Sequence, residues 1–193
     1  MLHFLPTPAP GARQRILAAA HRLFYQRGIR STGIDRLLAE ADVARMSFYK
    51  HFPSKQALVV AFLHERHAHW QQALEAAAQA RAQNPVEEIL AVFAVLGEWF
   101  AEPDFRGCAF INTVLETADP STEEHLIARQ HKQALRDYLE GLLVAGGIAH
   151  PPQVAAQLLL LIDGAIVRAQ LGDGPAAAAT ALELAKRVLP GCY

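Results

Sequence analysis

Apolar side chains recur at three- and four-residue intervals along most of this chain, and no stretch sustains an alternating pattern. Ile16, Leu17, Ala20, Leu23 and Phe24 share one helical face. They predict a first helix from near Ala12 to Gly28, where a glycine accepts the positive φ that ends a helix. Ile34, Leu37, Leu38 and Ala41 predict a short second helix opened by Thr32-Gly33. After a turn at Asp42-Val43 a third short helix covers about 44–51 and stops at Phe52-Pro53, since proline disfavours helix in the residue before it. Ser54 is an N-cap for a fourth helix reaching about Gln83, where Asn84-Pro85 breaks it. Nearly thirty residues would span roughly 40 Å, a length suited to a connector between modules. Further helices are expected at about 85–101, 107–118, 121–146, 151–172 and 175–189. Ile127, Ala134, Leu135, Tyr138, Leu139 and Leu142 lie on one side of the third of these. The last two are apolar around most of their circumference and need cover from more than one side, which a second subunit would supply.

Composition agrees with an all-α fold: 52% of the 193 residues are hydrophobic, much of that share is alanine, and alanine is the strongest helix former. The net charge of −1 hides a segregation. Residues 1–66 carry ten basic and four acidic side chains, a balance of +6, whereas residues 67–193 carry eight and fifteen, a balance of −7. A basic head on an acidic body suits a polyanionic partner for the head alone. Residues 1–11, with Pro6, Pro8 and Pro10, read as a disordered arm and not as a signal peptide. Leu158–Leu171, interrupted by Asp163 and Arg168, reads as too short to span a bilayer. Asp163 is expected to meet a partner across a dimer. No membrane association and a cytoplasmic location are expected.

Two short helices joined by a tight turn and braced by a longer one form a helix-turn-helix, whose second short helix enters the DNA major groove. Here that helix reads Ala44-Arg45-Met46-Ser47-Phe48-Tyr49-Lys50-His51. Phe48 and Phe52, four apart, can pack inward and leave Arg45, Met46, Ser47, Tyr49, Lys50 and His51 toward the groove. Arg45 can donate two hydrogen bonds to a guanine edge, while Tyr49, Lys50 and His51 suit phosphates. Lys55, in the first turn of the fourth helix, and Thr32, at the start of the second, are candidate phosphate contacts beside helix N-termini.

The stretch Arg13–Arg66 resembles the N-terminal domain of TetR/AcrR-family regulators. The matching residues are Arg15 to Ala20 with Leu23-Phe24 and Gly28, then Ser31 to Asp35 and Ala41 to Val43. Above all they include Ser47-Phe48-Tyr49-Lys50-His51-Phe52-Pro53-Ser54-Lys55. Asp42 stands where the family usually has glycine, and aspartate tolerates left-handed geometry better than most residues. Leu38 stands where a small residue is usual. The resemblance implies a helix-turn-helix domain over residues 10–66 and a ligand-binding and dimerisation domain over 67–193. It also implies a homodimer bound to a palindromic operator in double-stranded DNA, and a repressor released by a small-molecule effector.

For the effector, Phe93, Trp99, Phe100, Cys108, Phe110, Asn112 and Glu116 are candidate lining residues, a few polar groups among apolar ones; ordinary core is the alternative for the same set. Cys108 also opens a second reading, a thiol sensor of oxidants or electrophiles, if Arg106 and a helix N-terminus activate it; an inert buried cysteine is the alternative. Cys192 reads as exposed. His64, His67 and His69 lack the further ligands of a metal site and read as helix surface. No paired carboxylates, catalytic triad order or glycine-rich phosphate loop stands out, so neither an enzyme nor a cofactor is expected.

Overall fold

The computed structural model describes residues 11–189, and everything described is helix, turn or loop. The N-terminal arm and Cys192 lie outside the described residues. The helices are α1 (Ala12–Arg27), α2 (Ile34–Ala41), α3 (Arg45–His51), α4 (Lys55–Gln79), α5 (Pro85–Phe100), α6 (Ala109–Glu116), α7 (Glu123–Ala145), α8 (Pro151–Arg168) and α9 (Pro175–Val188). A π-helical turn, Ala169–Asp173, follows α8. The order and type of every predicted helix are found. The largest difference is the end of α4, which stops at Gln79. Asn84 adopts extended backbone and accepts the Glu87 N–H at 3.0 Å, capping α5 with Pro85 in its first turn. The residues before it therefore serve as a linker.

Two compact units are present, and α4 and α7 each contribute to both. Residues 11–69 group with 108–129 in one, and 70–107 group with 130–189 in the other. In the first unit, Ile16, Leu17, Ala20, Leu23 and Phe24 of α1 are all buried, with Leu37, Phe48, Phe52, Leu58 and Phe62. Phe24 meets Phe62 edge to face at 5.5 Å between ring centroids, and Phe48 lies 6.1 Å from Phe52. Edge-to-face packing directs the positive rim of one ring at the negative face of the other.

In the second unit α9 packs on α5 and α8. The alanines of α9 are what permit this: Ala177, Ala178, Ala181 and Ala185 are buried, and a Cβ at Gly97 of α5 would lie 3.4 Å from that of Ala178. Small residues on both surfaces bring the helices close enough to exclude voids. Tyr138 donates to Glu88 at 2.7 Å, and Lys132 pairs with Asp163 at 2.5 Å. The expected partner of Asp163 across a dimer is thus replaced by a lysine of its own chain. Leu135, Leu139 and Leu143 form the buried edge of α7, with Leu142 only half-buried.

The apolar run of α8 is longer than the sequence reading allowed. Pro151–Asp173 forms 23 residues of helix, the one such segment among the described residues long and apolar enough to cross a membrane by length and composition. Length therefore does not exclude a span. The packing of α8 against α9 supplies a different role for the buried side of its apolar surface.

Candidate nucleic-acid interface

The turn between α2 and α3 is built around one unusual residue. Asp42 occupies the left-handed region at φ 50° and ψ 57°, closing α2 with its N–H directed to Ala39 and Leu38 carbonyls. Arg15 of α1 reaches the same point. Its Nε donates to the Ala41 carbonyl at 3.0 Å and its Nη2 to the Asp42 carbonyl at 3.2 Å. A fixed cation thus occupies the negative end of α2 and ties α1 to the turn.

The consequence is a third helix held from behind. Phe48 and Phe52 are buried, as the spacing predicts. Arg45, Met46, Tyr49 and Lys50 are exposed on the opposite side, and Ser47 and His51 are half-buried. Met46 is 81% and Tyr49 42% exposed. The Tyr49 ring stands edge-on to Phe48 at 5.3 Å, so its position is set by the core while its hydroxyl end reaches out.

Two neighbours of this face escaped the sequence reading. Asp35, at the start of α2, forms an ion pair with Arg45, and both side chains are exposed. Arg13 of α1 lies over the Phe52 ring at 5.3 Å from its centroid. Arg13 was legible only as part of the basic head, because Phe52 is remote in sequence and the packing of α1 against α3 brings them together.

Two predicted phosphate contacts are placed differently. Thr32 is fully buried at 0% exposure, and its hydroxyl donates to the Gly28 carbonyl at 2.8 Å. It stabilises the α1–α2 turn from inside and does not belong to the exposed face. Lys55 is half-buried and donates from Nζ to the Ile29 carbonyl at 2.5 Å. Burial lowers its pKa, and the nearby Glu116 carboxylate partly opposes that shift.

Glu116, expected to line an effector site, grips the same turn. Its two carboxylate oxygens accept the Ile29 N–H at 3.1 Å and the Arg30 N–H at 2.7 Å. Gly28 suits this turn through its φ of +86°, and a Cβ there would approach Glu116 Oε1 to 3.0 Å and make that side chain shift. Asn112 and Glu116 border a void of about 10 Å³, room for no more than a water.

The remaining effector candidates fall into the two units. Phe93, Trp99 and Phe100 are buried in the unit containing α5, where Trp99 meets Phe105 at 4.9 Å and Trp70 at 5.9 Å. Cys108 and Phe110 are buried with α6 in the other. The Trp70 and Trp99 indole N–H groups are buried without an acceptor. Of the histidines, His67 stands edge-on to Phe110, and His69 donates from Nδ1 to the Glu65 carbonyl at 2.8 Å.

A short helix braced by two others, with an aromatic pair inward and a mixed basic and polar face outward, defines a helix-turn-helix module on an all-helical body. Comparison with known proteins gives the lineage. Residues 16–62 match the family of bacterial regulatory proteins named tetR. The chain is 34% identical to SCO4454, a TetR-family transcriptional regulator from Streptomyces coelicolor. That match covers 92% of this chain and 93% of the other, with a TM-score of 0.85. The reduced form of NemR from Escherichia coli is 27% identical over 92% of this chain and 96% of its own, with a TM-score of 0.84. The Escherichia coli transcriptional regulator YjdC is 26% identical over 92% of this chain and 93% of its own. The chain belongs to the TetR family of transcriptional regulators.

Proposed function

We propose that the protein is a ligand-responsive repressor that binds a palindromic operator as a homodimer and is released by a small-molecule effector. The observation that carries the DNA part is the outward face of α3, with Arg45, Met46, Tyr49 and Lys50 exposed while Phe48 holds the helix from behind. Arg45 and Met46 with half-buried Ser47 meet base edges, and Tyr49, Lys50 and His51 meet phosphates. Lys55 reaches a phosphate by releasing the Ile29 carbonyl. Residues 10–66 act as the DNA-binding domain and 67–193 as the ligand-binding and dimerisation domain. The protein works in the cytoplasm, where its operator is, and acts by binding without catalysing a reaction.

Dimerisation is supported by an uncovered apolar stripe. Leu160 of α8 and Leu171 in the following turn are 74% and 71% exposed, and Val167 and Leu184 are each 40% exposed. For the effector, Phe93, Trp99 and Phe100 supply apolar walls, and the unpartnered Trp99 N–H supplies a donor. A ligand carrying a hydrogen-bond acceptor would satisfy it.

Selection of bound duplexes from a random pool tests the core of this reading. A palindrome is expected, with affinity falling steeply as salt rises because several phosphates are neutralised. A dimer with no preference among duplexes overturns it, as does intact operator affinity in Lys50→Ala plus Lys55→Ala. Screening metabolites and xenobiotics for release of the selected duplex then tests the effector.

A second reading makes Cys108 a thiol sensor, favoured by its place at the N-cap of α6 and by a relative with a distinct reduced form. Burial of the sulfur opposes it. A Cys108→Ser protein that still releases DNA normally under peroxide or a quinone ends that reading.

A further inference from the structure

Beside the α1–α2 turn, within the unit of residues 11–69 and 108–129, lies a cavity of about 320 Å³. That volume is at the lower end for sites that hold small molecules. Ile29, Val59 and Ala118 supply apolar wall, and the charges facing it are the carboxylates of Glu116, Asp119 and Glu124 and the guanidinium of Arg30. The excess of negative charge favours a cation.

The three carboxylates differ in how they are already used. Glu116 accepts two backbone N–H groups and lies in the field of Lys55. Asp119 accepts the Ser121 N–H at 2.9 Å and its hydroxyl at 2.7 Å. Glu124, in the first turn of α7, is only 6% exposed, and its Oε2 is buried with no hydrogen-bond partner. A buried carboxylate oxygen left without a hydrogen-bond partner is a costly arrangement, and a bound cation would relieve it. A water in the cavity would satisfy the oxygen without neutralising the charge. No group of three acidic, histidine or cysteine side chains is disposed to hold a metal ion among the described residues. The apolar wall then selects an organic cation over a bare one.

We propose that this cavity is a binding site for a small organic cation, an ammonium group on a compact apolar body, with Glu124 as its counter-charge. It is separate from the site assigned to Phe93, Trp99 and Phe100. Its occupant touches Ile29 and Arg30, the segment that Glu116 holds at the entry to α2.

Calorimetric titration of the full chain with 2-phenylethylamine at neutral pH, without DNA, tests the site, using 2-phenylethanol as the neutral counterpart. Saturable binding at one molecule per chain is expected, with the alcohol at least about tenfold weaker. Glu124→Gln should weaken the amine by a similar factor. Ala118→Phe, at an exposed position of the rim, should block it by filling the cavity and serves as the judge if Glu124→Gln folds poorly. Equal affinity for amine and alcohol overturns the proposal, as does unchanged binding in either folded variant. So does the absence of saturable binding up to about 10 mM.

Discussion

The guanidinium of Arg45 is paired with the carboxylate of Asp35, joining the first residue of α3 to the first turn of α2 on the exposed face of the helix-turn-helix. A side chain proposed to read a base is thereby held by a neighbour carrying the sign that phosphates repel. The pair is exposed on both sides, so its worth to stability is small, under about 1 kcal/mol. The effect expected of it is on recognition, if Arg45 reads a base as proposed.

Asp35→Ala should therefore leave the melting temperature nearly unchanged while altering DNA binding in two directions. Affinity for a random duplex rises about threefold to tenfold, because a repelling charge leaves the interface. Discrimination between operator and random duplex falls, because Arg45 loses the partner that orients it. Fluorescence anisotropy with both duplexes at two salt concentrations measures this. Unchanged values for both duplexes would show that the pair has no part in recognition.

Most of the fold was legible because its punctuation is local. Gly28, Phe52-Pro53, Asn84-Pro85 and Pro151-Pro152 each act within a turn of the helix they end or begin, so the sequence alone displays them. Phe48 and Phe52 were legible for the same reason, since a spacing of four puts both on one side of a helix. What stayed hidden is which backbone group each polar side chain bonds. Glu116 reads as a polar group for a ligand pocket, and nothing local shows that it also holds the backbone of Ile29 and Arg30, some eighty-odd residues away. Thr32 sat in the right place for a helix N-terminus, but Gly33 takes the N-cap position and the Thr32 hydroxyl turns back to Gly28. Pattern and propensity carry no information about such partners, near or far in sequence.

Asp42 provides a test of local strain. A non-glycine residue in the left-handed region costs up to roughly 1–2 kcal/mol, less for aspartate than for most. Asp42→Gly should be neutral to mildly stabilising, with relief of strain set against the larger entropy of glycine in the unfolded chain. Asp42→Val should destabilise by about 1–2 kcal/mol, because a β-branched residue resists positive φ. Urea denaturation of both variants checks the ordering. A valine variant as stable as the glycine one would mean that the turn has another conformation.

Tyr138 gives a pH signature in the other unit. Burial, and then the hydrogen bond to Glu88, raise the pKa of its phenol well above the ordinary value of 10. The folded state thus holds this proton more tightly than the unfolded chain. The stability it contributes is complete below pH 10 and is lost as pH rises beyond 10, where the unfolded chain releases the proton first. Tyr138→Phe should be destabilised by about 1 kcal/mol at neutral pH through loss of the hydrogen bond. It should also show a shallower fall in stability above pH 10 than the parent protein. Chemical denaturation from pH 8 upward compares the two, and parallel profiles would contradict the assignment.

In the proposed homodimer the stripe on α8 pairs the two DNA-reading helices. Ala156, Leu160, Gly164, Val167 and Leu171 lie at spacings of three and four on its exposed side, so they form one continuous surface along the helix and the turn after it. In a two-fold interface each residue occurs twice, and a charge placed near the axis meets its own copy. Leu160→Glu should therefore convert a dimer into a monomer while leaving the helical content intact, since Leu160 is not part of the subunit core. Operator affinity should fall by at least about a hundredfold, because a single helix-turn-helix gives up the gain from joining two half-sites. Sedimentation equilibrium and anisotropy on one preparation measure both quantities. A Leu160→Glu protein that remains dimeric would place the interface elsewhere, and one that becomes monomeric yet keeps full operator affinity would remove the need for pairing.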